Sequence, residues 1–185
     1  MGNRLVGICR PVSDSGVELS TGMIEKIVSG GQTGVDRAAL DAAMALGIDV
    51  GGWCPRGRRA VDGIIPSRYP LLETDSQEYQ VRTLWNVRDS DATLLVCSDE
   101  PDGGTALTIE YCEQLGRPYE VCQLQGGDVA VSDCSERNLI GLVRWTHSNP
   151  VNVLNVAGPR EDIDCPIYAR AYAFLRAFFK LAITR

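Results

Sequence analysis

Residues 24–46, IEKIVSGGQTGVDRAALDAAMAL, pass from a short apolar run through a glycine-rich turn into a helix. IEKIVS (24–29) reads as a strand, and Asp36 to Leu46 as the helix after it, with Asp36 as the N-cap that satisfies free amide donors. Gly30, Gly31 and Gly34 at the junction fit two arrangements. One is a plain tight βα turn. The other is a cradle whose amides face an anion at the helix N-terminus, with Gln32 and Thr33 adding side-chain donors. The spacing departs from GxGxxG, and no acidic residue ends the next strand, so a dinucleotide is not indicated.

The same strand–turn–helix unit recurs outward from this stretch. IDVGG (48–52) reads as the second strand, followed by a long Gly/Pro loop and a short strand LLET (71–74). A helix from about Ser76 to Arg88 leads to ATLLVCS (92–98), whose near-continuous apolar character is that of a central parallel strand covered on both faces. TALTIEYCEQLG is a helix ended by Gly116 and Pro118. YEVCQL (119–124), a helix carrying Leu139, Ile140, Leu142 and Val143, VNVLNVAG (151–158) and an apolar terminal helix complete the series. Strands alternating with helices predict an α/β fold, a doubly wound, mainly parallel sheet with helices on both faces and ligands at the carboxyl ends of the strands. Residues 1–22 are polar and aperiodic and read as an extension ahead of one ligand-binding domain, 23–185.

Composition narrows the functional classes. The chain has 185 residues, and its net charge of −6 disfavours a general nucleic-acid binder, which needs a clustered basic face. No apolar run reaches the roughly 18 residues of a membrane span. The opening MGNRLVGICR lacks the apolar core of a secretory signal, so a cytoplasmic location is expected. Seven cysteines without CxxC spacing fit a reducing compartment, and the single histidine makes a zinc centre improbable. No metal site is expected.

Three further loops could carry chemistry. In PDGGTALTIE (101–110), Gly103 and Gly104 precede Thr105 at a helix start, where amides and a hydroxyl suit a phosphate; a glycine turn merely capped by Thr105 explains it too. WCPRGRRAVDG (53–63) places Arg56, Arg58 and Arg59 within four residues, either as a counter-charge for an anion or as a solvated cluster. NVAGPRE (155–161) brings Arg160 to the end of the last strand. Trp53 reads as a packing residue. No nucleophilic constellation stands out.

Taken together, IVSGGQTGVDRAALDAA (27–43), GGWCPRGRRAVDGIIPSRYPLLET (51–74), WNVRDSDATLLV (85–96), GGTALT (103–108) and VLNVAGPRE (153–161) resemble the molybdenum carrier, or molybdenum-cofactor carrier-like, family. The resemblance runs from about Ile24 to the terminal helix. It implies a Rossmann-like fold of the group that includes lysine-decarboxylase-like proteins and cytokinin-activating phosphoribohydrolases. It also implies a molybdopterin-type ligand, the molybdenum cofactor, bound and handed on without turnover by a protein that self-associates as a dimer or tetramer. Gly30, Gly31, Gln32, Thr33, Gly34, Gly103, Gly104 and Thr105 would then hold phosphate and pterin-side polar groups, with Arg56, Arg58 and Arg59 as counter-charge and Arg160 closing the site from the far side. The phosphoribohydrolases carry PGGxGTxxE, whose Glu supports N-glycosidic cleavage; here Thr108 stands three residues after Thr105, and only Glu110 could supply a carboxylate. A hydrolase acting on nucleoside monophosphates and a nucleotide sensor remain the alternatives.

Overall fold

The computed structural model describes residues 23–124, 136–162 and 166–183; the extension expected at 1–22 lies outside them. In chain order the first elements are β1 (Lys26–Val28), α1 (Val35–Met44), β2 (Asp49–Gly51), β3 (Trp53–Cys54), β4 (Arg59–Ala60), β5 (Gly63–Ile64) and β6 (Leu72–Glu73). They are followed by α2 (Tyr79–Arg88), β7 (Ala92–Cys97), α3 (Gly103–Leu115), β8 (Tyr119–Gln123), α4 (Glu136–Ser148), β9 (Val153–Ala157) and α5 (Tyr168–Ala182).

The main sheet has five strands in the order β2-β1-β9-β7-β8, and every pairing in it is parallel. The expected doubly wound α/β fold is therefore present. The last strand, however, sits in the centre, with Leu154 opposite both Ile27 of β1 and Ala92 of β7. Counting β9 as the first strand turns the order into the Rossmann series 3-2-1-4-5. In that series the topological switch point, where ligand crevices form, falls between β9 and β7.

Burial explains the placement. All six residues of β7 are buried, as its apolar run predicts for a strand with both faces covered. On α5, Ala171, Phe174, Leu175, Phe178, Phe179 and Ala182 form one helical stripe and are buried together. That stripe joins a core cluster with Ala38, Ala39, Ala42 and Ala43 of α1, whose small side chains let the two helices approach closely. Each fully buried phenylalanine here contributes about 1.5–3 kcal/mol by leaving water.

Two local expectations change. Gly34 stands at the N-cap of α1 with no side-chain cap bond, and Asp36 lies inside the first turn, so Asp36 is not the cap. The long loop after β2 is also more ordered than its Gly/Pro content suggests: β3 pairs in parallel with β6, and β4 pairs antiparallel with β5. The start of α2 moves to Tyr79 because Ser76 is held in a turn, its hydroxyl accepting the Glu78 amide and its carbonyl accepting the Arg56 amide. Among the described residues, no helix is long and apolar enough to cross a membrane.

Candidate functional site

The loops leaving β7 and β9 enclose a cavity of about 550 Å³ at the carboxyl edge of the sheet, at the switch point. One wall is Cys97 to Thr105, and the other is Gly158, Pro159 and Arg160, with Asp162 and Ile167 behind. Gly158 lets the two strands close up at this edge, since a Cβ there would run into the Val96 carbonyl and the Val35 side chain. Four of the predicted residues, Gly103, Gly104, Thr105 and Arg160, are thus brought to one cavity.

The N-terminus of α3 forms the donor wall. The Gly103 and Gly104 amides have no acceptor among the described residues, whereas those of Thr105 and Ala106 bond the Asp102 carbonyl at 2.8 and 3.0 Å. A Cβ at either glycine would meet nothing within 4 Å, so a ligand can come close to this backbone. Thr105 is only 5% exposed and lines the cavity, and its hydroxyl has no partner among the described residues. Further along α3, Thr108 is buried and donates to the Gly104 carbonyl at 2.8 Å, while Glu110 is exposed and does not line the cavity.

The same walls carry several carboxylates, Asp99, Glu100, Asp102 and Asp162, against the single guanidinium of Arg160. Glu100 accepts a bond from Gln123 Nε2 at 3.3 Å. Burial pushes the Cys97 thiol above its ordinary pKa, with Glu100 and Asp99 adding to the shift. Among the described residues, no group of three His, Cys, Asp or Glu could hold a metal ion. Sequence reading missed the acidic residues because nothing local to DEPD says that β9 will lie beside β7.

The glycine loop after β1 lies next door. Three of its amides turn inward, Gln32 N donating to Asp36 at 3.2 Å, Thr33 N to Gln32 Oε1 at 3.0 Å and Val35 N to the Pro159 carbonyl at 3.2 Å, while those of Gly30, Gly31 and Gly34 have no acceptor among the described residues. Gln32 Oε1 also accepts from Val61 N at 3.0 Å, tying the β4–β5 ribbon to the loop. Thr33 Oγ1 accepts the Glu161 amide at 3.3 Å, and Gly34 packs directly against residues 159–161. Gly30 to Gly34 therefore buttress the β9 wall from behind, and none of them lines the cavity. Asp36, only 2% exposed, takes the place an anion would have at this helix end and pairs with Arg82 at 3.0 Å. Arg82 comes from α2, and its guanidinium fills the space over Gly30. No spacing in the sequence links it to the loop.

The arginine loop stands apart from the cavity lining. Arg58, at a positive φ of 51°, donates to the carbonyls of Ile65, Pro66, Tyr69 and Leu71 at 2.9–3.1 Å. Arg59 donates to Gln77 at 3.2 Å, while Arg56 is exposed. Trp53 packs edge-on against Trp85 with centroids 4.7 Å apart. Because Arg58 satisfies four carbonyls with one planar fork, Arg58→Ala is expected to lose about 2 kcal/mol in urea unfolding, and Arg58→Lys to recover little of it. A loss near zero would mean the 58–71 segment is held by other contacts.

The Circularly permutated YpsA SLOG family matches residues 27–179. A crystal structure from Syntrophus aciditrophicus SB, described as a "Putative molybdenum carrier protein", is 41% identical and superposes with a TM-score of 0.77 over 85% of this chain and 96% of that one. No curated protein matches significantly. A permuted family agrees with a sheet that reads 3-2-1-4-5 only when β9 is counted first.

Proposed function

We propose that this chain, which belongs to the Circularly permutated YpsA SLOG family, is a cytoplasmic carrier that holds a phosphorylated pterin, the molybdenum cofactor or a close relative of it, between β7 and β9 without turning it over. The observation that carries this reading is the Thr105 hydroxyl, which lines the cavity beside the Gly103 and Gly104 amides, none of the three having a partner among the described residues. A terminal phosphate would accept from these donors, and the α3 N-terminus would favour its charge. Arg160 would meet it from the facing wall, and Pro101, Pro159 and Ile167 would offer apolar surface to the ring. Glu100 and Asp162 suit the amino and ring N–H donors of a pterin. In such a cofactor the dithiolene sulfurs hold molybdenum. The name given to the Syntrophus aciditrophicus protein points the same way.

A nucleoside monophosphate shares the phosphate and the ring-edge donors, so a nucleotide sensor is the second reading. Cleavage is disfavoured by Thr108 bonded within its own helix and by Glu110 outside the cavity. Release of ribose 5-phosphate from a nucleoside monophosphate, lost in Glu110→Ala, would overturn the carrier reading. The direct test is retention of the molybdenum cofactor by the purified protein, followed through the fluorescence of its oxidised pterin. Retention no better than by an unrelated protein would refute it. Native mass spectrometry of the same sample reads the subunit count, expected to be a dimer or tetramer.

A Cβ at Gly104 meets nothing within 4 Å, so Gly104→Val should fold normally. Its branched side chain is nevertheless expected to weaken cofactor binding by about tenfold or more by crowding the approach to the amides. Unchanged affinity would place the ligand elsewhere.

A further inference from the structure

The geometry points to a divalent cation, Mg2+ or Mn2+, that enters the β7–β9 cavity together with the ligand's phosphate and is held by Asp99 and Asp102. The inference rests on the phosphate reading above. The donor wall is open to an acceptor: Thr105 is 5% exposed, lines the cavity, and its hydroxyl has no partner among the described residues. Yet the same cavity carries four carboxylates and one guanidinium. A phosphate dianion brought to Gly103 and Gly104 gains the helix end, worth about half an elementary charge, and the Arg160 charge. It meets more negative charge than that within the same walls, and like charges at such range lower affinity.

Two of the carboxylates are already engaged, Glu100 with Gln123 at 3.3 Å and Asp162 within the protein. Asp99 and Asp102 are exposed and have no hydrogen-bond or ion-pair partner among the described residues, and Asp102 stands at the N-cap of α3 without using its side chain as a cap. Two carboxylates do not make a closed metal site, in accord with the lack of any three-residue cluster among the described residues. They do match the habit of Mg2+, which keeps several waters and completes its shell with one or two carboxylates and the ligand's own phosphate oxygens. The cation would convert a repulsive pair of walls into a bridge: carboxylates to metal, metal to phosphate, phosphate to the α3 amides and Thr105.

Fluorescence titration with 6-hydroxymethylpterin phosphate, at matched ionic strength in millimolar Mg2+ or in EDTA, tests this. The wild-type protein should bind about tenfold more tightly in Mg2+, and unphosphorylated 6-hydroxymethylpterin should show no such difference. The Asp99→Asn/Asp102→Asn double variant, altered only at exposed positions, should lose the Mg2+ gain and bind the probe more tightly than wild type in EDTA. That crossover is not expected from a change that merely loosens the fold. Equal wild-type affinity in Mg2+ and EDTA would overturn the cation while leaving the carrier reading intact. Absence of binding by the phosphorylated probe in both buffers would overturn both.

Discussion

Gly34→Ala is expected to lose about 3 kcal/mol or more in urea unfolding, far beyond an ordinary glycine replacement. Gly34 has φ 82° and ψ −129°, a region that side chains strongly disfavour. The added methyl would also lie 2.5 Å from the Glu161 nitrogen and the Pro159 oxygen, and 2.6 Å from the Arg160 carbonyl carbon. All three are backbone atoms, so no rotamer change can relieve the collision. Either α1 withdraws, breaking the Val35 to Pro159 bond of 3.2 Å, or residues 159–161 move and take Arg160 with them. Ligand binding should therefore fall along with stability. Gly47→Ala is the control: its φ is 71°, but a Cβ there meets nothing within 4 Å. It should lose only about 1 kcal/mol, the strain without the collision. Equal losses at the two positions would show that the contact between the β1 and β9 loops is not tight.

That contact also marks where sequence reading succeeds and where it stops. The alternation of apolar runs and helices is local, and it suffices for the parallel sheet, for β7 as a central strand and for Gly116 as the stop of α3. Gly103, Gly104, Thr105 and Arg160 were legible as donors at strand ends. What was not legible is adjacency. β9 comes late in the chain yet lies between β1 and β7, and its pairing with β7 sets Arg160 across the cavity from Thr105. The loop SGGQTG has the composition of an anion cradle, but whether its amides face outward depends on what lies behind it. Here Asp36, Gln32 and the Pro159 carbonyl take the amides of Gln32, Thr33 and Val35, and those of the three glycines stay without an acceptor among the described residues. Likewise three neighbouring arginines look alike in sequence, and only the path of residues 65–71 makes Arg58 a bracket for four carbonyls. The Asp41 carboxylate, which accepts from the hydroxyls of both Tyr69 and Tyr168, gave no signal either, since its partners come from distant segments.

Arg82→Met is expected to lose about 3 to 5 kcal/mol at neutral pH, because it leaves the buried Asp36 carboxylate without its counter-charge. Asp36 is 2% exposed, and the pair is 3.0 Å apart. Burial raises the Asp36 pKa above its ordinary value, while Arg82, the Gln32 amide and Ser29 pull it back. A carboxyl whose folded pKa is raised holds its proton more tightly folded than unfolded. Its contribution is fully present below the unfolded pKa and is lost as pH rises through the folded pKa. Removing Arg82 takes away the strongest opposing influence, so the folded pKa climbs further and the window of loss widens upward. The deficit of Arg82→Met against wild type should thus be largest at neutral and alkaline pH. It should shrink as the medium is acidified and Asp36 takes up a proton. Adding Asp36→Asn to Arg82→Met should recover a large part of the loss at neutral pH, because the uncompensated charge is then gone. Urea unfolding of the single and double variants across this range measures both effects. A deficit that stays constant with pH and persists in the double variant would mean that Arg82 acts by packing over Gly30 rather than by neutralising Asp36.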